Sequence, residues 1–153
     1  MERDEFDLIA RGQAEGLSTA PRFVAKDGAG KLLDEKSWGS GVKLGHDGAL
    51  DHLVAFLRAG FAGHRLVGVG HRVVHGGAKL TQPVRLTPEV RAEINNCTPL
   101  APLHNPHNLA AIDMLSELAP DVPQYASFDT SFHATNPTVA TRYAIPRMIE
   151  TKG

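Results

Sequence analysis

Three short stretches of this chain carry side chains that could do chemistry. The first is Gly70-His71-Arg72-Val73-Val74-His75-Gly76-Gly77. Its β-branched, apolar character predicts a strand, on which side chains alternate: Arg72 and Val74 share one face, and His71, Val73 and His75 share the other. A guanidinium fork can hold a carboxylate or phosphate through two hydrogen bonds while a neighbouring valine packs an alkyl end. The pairing suits a small organic acid, although an arginine at a sheet edge can equally make a surface ion pair. The glycine pair would let a ligand or another backbone approach closely. His71 and His75 are four apart, which is metal-ligand spacing on a helix but loses that meaning on a strand.

The second stretch is Ala101-Pro102-Leu103-His104-Asn105-Pro106-His107-Asn108. It places His104 just before a helix that Asn105 can cap. An imidazole there can donate to an anion that also feels the exposed amides of the helix N-terminus, or it can be tied into the cap itself. His107, in the first turn, reads as solvated. The third stretch is Phe128-Asp129-Thr130-Ser131-Phe132-His133. Asp129 falls at the carboxyl end of a predicted strand, where open α/β sheets bind ligands. One carboxylate there can hold Mg²⁺, directly or through water, because that ion takes one or two carboxylates plus phosphate oxygens. Capping of the loop is the plainer role. Ser131 with His133 suggests a serine nucleophile, but no Gly-x-Ser-x-Gly elbow surrounds it.

The elements that must position these residues follow from periodicity. Leu8-Ile9-Ala10 and Arg22-Phe23-Val24 are β-compatible, and Lys26-Asp27-Gly28-Ala29-Gly30 is hairpin-turn chemistry. Leu50, Leu53, Val54 and Leu57 recur at helical spacing between Gly48 and Gly60, with Asp47 available as a cap. The run 66–75 reads as a buried strand. A second helix should start at Thr87 with Pro88 in its first position and Val90, Ile94 and Cys97 on one face. A third should start at Asn105-Pro106 and bury Leu109, Ile112 and Leu118. Gln124-Tyr125-Ala126-Ser127-Phe128 reads as a strand ending at Asp129. Strands alternating with helices predict a layered α/β fold.

Bulk composition narrows the function. The 153 residues carry 16 basic and 17 acidic side chains, a net charge of −1, which offers no excess positive charge to nucleic acid or anionic membranes. The single cysteine cannot form an intrachain disulfide. The opening MERDEFDLIARG is not a signal peptide, and no apolar run is long enough to span a bilayer. A cytoplasmic setting is the expectation.

Taken together, Val69–Gly77, Leu100–Pro106, Phe128–His133 and the following Tyr143-Ala-Ile-Pro146 resemble the acetate kinase family, with Gly12–Gly16 and Pro21–Phe23 extending a weaker likeness over nearly the whole chain. The resemblance implies the actin and sugar-kinase (ribonuclease H-like) fold, a mixed sheet flanked by helices. It also implies reversible phosphoryl transfer between ATP and acetate, giving acetyl phosphate and ADP, with Mg²⁺ as cofactor. Carried over by motif, Arg72 would bind the carboxylate or acyl phosphate and His104 would hydrogen-bond the phosphoryl group. Asp129 would position Mg²⁺, and Val74 and Leu103 would line the methyl pocket. Ala78 stands where relatives carry an acidic residue, and His107 and Asn136 also depart from the family pattern. By the same resemblance, residues 1–153 form one incomplete acyl-kinase domain, without the family's first phosphate-binding strand and its second, nucleotide-binding domain. Such a piece would be inactive alone, and the full-length protein would be a homodimer. Propionate or butyrate kinase, and a noncatalytic carboxylate or acyl-phosphate binding remnant, are the alternatives.

Overall fold

A computed structural model describes residues 6–150 of the chain. It divides into two compact units, residues 1–65 and 66–153. In the first, β1 (Ala10–Glu15), β2 (Arg22–Asp27) and β3 (Leu32–Ser37) form an antiparallel meander in the order β1-β2-β3. The β2–β3 turn is built as its residues require: the Asp27 carboxylate accepts from the Ala29 and Lys31 amides, and Gly30 takes a φ of 89° that favours glycine. Helix α1 (Gly45–Gly60) starts three residues before the expected Gly48, and Asp47 lies in its first turn instead of capping it. It packs on the sheet through aromatic edges, with the His52 ring 4.7 Å from Phe23 and 5.1 Å from Trp38.

The second unit holds all three motif stretches. Strand β4 (Val69–Val73) pairs in parallel with β6 (Gln124–Phe128), and the short β5 (Val84–Arg85) pairs antiparallel with the other edge of β6. The sheet is therefore mixed, in the order β4-β6-β5. Helix α2 (Pro88–Asn96) begins as the sequence requires: the Thr87 hydroxyl accepts from the Val90 amide and Pro88 occupies the first turn, where its missing N–H costs nothing. Helix α3 (Asn105–Leu118) follows after a 3₁₀ turn at Thr98–Leu100. Two single-turn helices, Thr138–Thr141 and Arg147–Glu150, end the described chain.

One core holds this unit together: Val73, Ala126 and Phe128 from the sheet meet Ile94 of α2 and Leu109 and Ile112 of α3. Burying each large side chain contributes about 1.5–3 kcal/mol. Leu118, expected inside, remains 39% exposed at the end of α3. The run 66–75 is not a strand buried on both faces. Leu66 and Val67 are 53% and 66% exposed, and β4 alternates, because the core with α2 and α3 takes one face of the strand, through Val73. Gly70, Arg72, Tyr125 and Ser127 face the other way. Gly76 and Gly77 serve close packing: a Cβ on Gly76 would lie 2.4 Å from the Leu80 carbonyl oxygen and 2.8 Å from the Phe128 ring, and Gly77 has a φ of 64°.

Candidate active site

Parallel pairing of β4 with β6 sets Arg72 opposite Ser127 and Val73 opposite Phe128. Asp129 is the next residue after β6 and continues the outward parity of Ser127, so it emerges beside Arg72 on the face away from the α2 and α3 core. The two side chains, 57 positions apart, form a fork. Arg72 Nε donates to Asp129 Oδ1 at 2.8 Å and Nη2 donates to Oδ2 at 2.7 Å. Arg72 is 79% exposed and Asp129 38%, so the pair is open to solvent. The Asp129 carboxyl is held below its ordinary range chiefly by the hydrogen bonds from Arg72. Desolvation opposes this, and the charges of Arg72 and then of His104 add to the lowering. Arg72 is correspondingly raised by the hydrogen bond and charge of Asp129. Arg72 and Asp129 thus meet directly, and His104 bears on Asp129 alone, through the smallest of the causes that lower its carboxyl.

His104 is the residue before α3. Its amide donates to Ala101 O at 3.1 Å and its carbonyl accepts from the Asn108 amide at 3.0 Å, while its imidazole makes no cap bond. The expected cap, Asn105, does something else. It is fully buried, and its side chain accepts from the His75 amide (3.3 Å) and donates to the His75 and Ile94 carbonyls (3.1 and 3.2 Å). One turn on, Asn108 accepts from the Val74 amide (3.2 Å) and donates to the Arg72 carbonyl (3.3 Å). The Gly76 amide donates to Thr130 Oγ1 at 3.1 Å. Sequence reasoning gave neither Asn108 nor Thr130 these roles. Their one signal was proximity to His104 and Asp129 in polar runs.

Val74 is partly buried in the bend just past β4, so its expected strand face with Arg72 does not exist: pairing ends at Val73, where β6 ends. Leu103 is 77% exposed, two residues before the asparagine that grips His75. The other pairings suggested by sequence separate. His71 Nε2 lies 2.6 Å from Gln124 Oε1, whereas His75 Nδ1 accepts from the Gly77 amide. Among the described residues no group of three His, Cys, Asp or Glu could hold a metal. The Ser131 hydroxyl donates to the Phe128 carbonyl at 2.6 Å, which removes it as a nucleophile. A groove of about 350 Å³ lies at the opposite end of β6, lined in part by Arg91, Asp113, Ser116 and Gln124. These groups are already paired, Arg91 with Asp113 and Gln124 with Ser116, and the groove shares no residue with the Arg72 fork. Among the described residues no helix is long and apolar enough to cross a membrane.

Comparison with known proteins gives one answer. The sequence model of the Acetokinase family matches residues 15–153. An acetate kinase of Rhodopseudomonas palustris is 42% identical over 146 residues, covering 95% of this chain and 36% of the relative. An acetate kinase of Deinococcus radiodurans is 41% identical over 135 residues, covering 88% and 33%. Among solved structures, a propionate kinase from Francisella tularensis superposes with a TM-score of 0.81 at 32% identity, over 94% of this chain and 36% of that one. Porphyromonas gingivalis acetate kinase gives 0.80 at 31% identity, over 99% and 39%. The chain spans about a third of the length of these relatives, sharing with them a mixed α/β fold that makes up part of a larger protein. With residues 15–153 matched by the family model and its fold reproduced in part of two solved kinases, this chain belongs to the acetokinase family.

Proposed function

We propose that this chain supplies the acid-binding and phosphoryl-binding part of an acyl kinase that transfers the γ-phosphoryl of ATP to acetate, reversibly, giving acetyl phosphate and ADP. The observation that carries the reading is the solvent-open Arg72–Asp129 fork with the charge of His104 directed at it. A carboxylate already sits on Arg72 in the geometry an incoming acid would need. In the reaction, a carboxylate oxygen of the acid bonds to the γ-phosphorus while the bond to the β–γ bridging oxygen breaks and ADP takes the electron pair. No proton has to move. The protein's work is to position and to neutralise charge.

Arg72 orients the acid, and His104, at the positive end of the α3 dipole, hydrogen-bonds the phosphoryl oxygens in transit. Val74 and Leu103 border the alkyl end. Asp129 fits a Mg²⁺ shared with nucleotide phosphates, because it brings one carboxylate at a strand end, and that ion completes its shell with phosphate and water oxygens. When bound, Mg²⁺ neutralises phosphate charge. The nucleotide site and a homodimeric assembly rest on the family resemblance, and a cytoplasmic setting on the single cysteine and the absence of a long apolar run; a net charge of −1 offers nucleic acid no purchase. We also propose that residues 1–153 form one incomplete acyl-kinase domain, inactive alone, as the one-third coverage of the relatives suggests.

The test is a chimera in which this chain replaces the matching stretch of the Rhodopseudomonas palustris acetate kinase, assayed for acyl phosphate formation. Acetate-dependent turnover that collapses on Arg72→Ala supports the reading. A folded chimera that turns over equally well without Arg72 refutes it. Propionate is the second substrate to try, since Leu103 is 77% exposed and leaves the alkyl side open. A higher kcat/KM for propionate than for acetate would reassign the specificity.

A further inference from the structure

Strand β4 ends at Val73 because its partner β6 ends at Phe128, yet the backbone beyond it is not left unpaired. Asn105 and Asn108 lie three apart on one face of α3, and an asparagine side chain carries a carbonyl and an N–H₂ in the arrangement of a peptide group. Asn105 accepts from the amide and donates to the carbonyl of His75, and Asn108 does the same across the Val74 amide and the Arg72 carbonyl. Two side chains of a helix therefore stand in for a neighbouring strand. The helix they belong to begins directly after His104. The segment bearing Arg72 and the segment bearing His104 are thereby fastened to each other, independently of the Arg72–Asp129 fork.

We propose that Asn105 and Asn108 are positioning residues of the anion site, fixing the gap between the Arg72 guanidinium and the His104 imidazole. Their side chains hydrogen-bond to backbone groups and would act on a ligand through those two residues. The inference rests on the reading of Arg72 and His104 as anion-binding groups, and its test separates the two.

The probe is inorganic phosphate, titrated into the 153-residue chain and followed by NMR at the Arg72 Nε–H and His104 ring signals. Asn108→Asp is the main variant, because it keeps the acceptor for the Val74 amide while losing the donor to the Arg72 carbonyl. Asn108 is only partly buried, unlike Asn105, so the fold should survive. Thr87→Ala, which removes the α2 cap far from the site, controls for a general loss of stability. The expected result is that Asn108→Asp weakens phosphate binding about five- to tenfold, shifts both reporter signals and speeds amide exchange at Val74, while Thr87→Ala does none of these. An Asn108→Asp chain that binds phosphate like the parent, or no worse than Thr87→Ala, overturns the proposal. If the parent and Arg72→Ala respond to phosphate alike, the anion reading fails instead. What then survives is only the fastening of the Arg72 and His104 segments, read from the ligand-free spectra: reporter signals unmoved by Asn108→Asp overturn that as well, and displaced signals keep it as a structural role without an anion site.

Discussion

The second unit contains two arginine–aspartate forks of the same chemistry in different places. Arg91 of α2 grips Asp113 of α3 through Nε and Nη2, as Arg72 grips Asp129, and in each pair the arginine is raised and the aspartate lowered from its ordinary value, chiefly by the hydrogen bonds between them. The helix fork joins two regular elements, and the lowering of its aspartate comes from Arg91. The strand fork stands where β6 gives way to a loop, has a more exposed arginine (79% against 45%), and feels His104. An ion pair between packed helices fastens them. On the proposed reading, the same pair at strand ends exchanges one partner for a ligand. Location and company make the difference, not the pair itself.

Substitution should separate the forks most sharply in catalysis. In the chimeric kinase, Arg72→Ala is expected to lower kcat/KM for acetate by about 10²–10³, the scale of losing one charge-stabilising donor. Arg91→Ala should stay within about twofold. Comparable losses would erase the distinction. Stability should rank the contacts differently. Asn105→Ala leaves the His75 amide and two carbonyls without their buried partner and should cost about 3 kcal/mol in urea unfolding. Arg91→Ala, at a half-exposed surface pair, should cost about 0.5 kcal/mol. A helix fork worth more than the asparagine would show that it is the unit's main fastening.

Acid titration gives a finer comparison. A carboxyl whose folded pKa is depressed stabilises the fold above its unfolded value, near 3.9, and that contribution is lost as pH falls through the folded value. Both aspartates should behave so. By NMR, Arg72→Ala should return Asp129 toward the ordinary range and leave Asp113 alone, and Arg91→Ala should do the reverse. The smallest expected effect is the most diagnostic: His104→Ala should raise Asp129 slightly and leave Asp113 unmoved. An unmoved Asp129 would remove His104 from the cluster.

Local chemistry was legible at several helix and strand ends, though not at the start of α1, where Asp47 lies in the first turn. The Thr87 cap, Pro88, and the limits of β6 at Gln124 and Phe128 follow from residue type and alternation alone. Reading failed where a partner distant in sequence decides. Val74 left the strand because β6 runs out, which no property of Val74 announces. Asn105 has the same side chain whether it caps its own helix or bonds a loop 30 positions away, and capping was the nearer guess. The Arg72 and Asp129 motifs were visible separately. Their contact depends on the parallel register of β4 and β6, which sequence periodicity does not encode.

The Arg72–Asp129 fork also bears on how strongly such a site can bind. Because the seat on Arg72 is already filled by the chain's own carboxylate, an acid arriving from solution does not fill a vacancy but takes part in an exchange. Two charge-assisted hydrogen bonds are broken for two that form. Affinity is then the difference between nearly equal quantities, less the freedom the ligand gives up. If Arg72 seats the acid as proposed, such a seat would hold it loosely, favour rapid turnover of occupants in either direction, and leave discrimination among acids to the alkyl end.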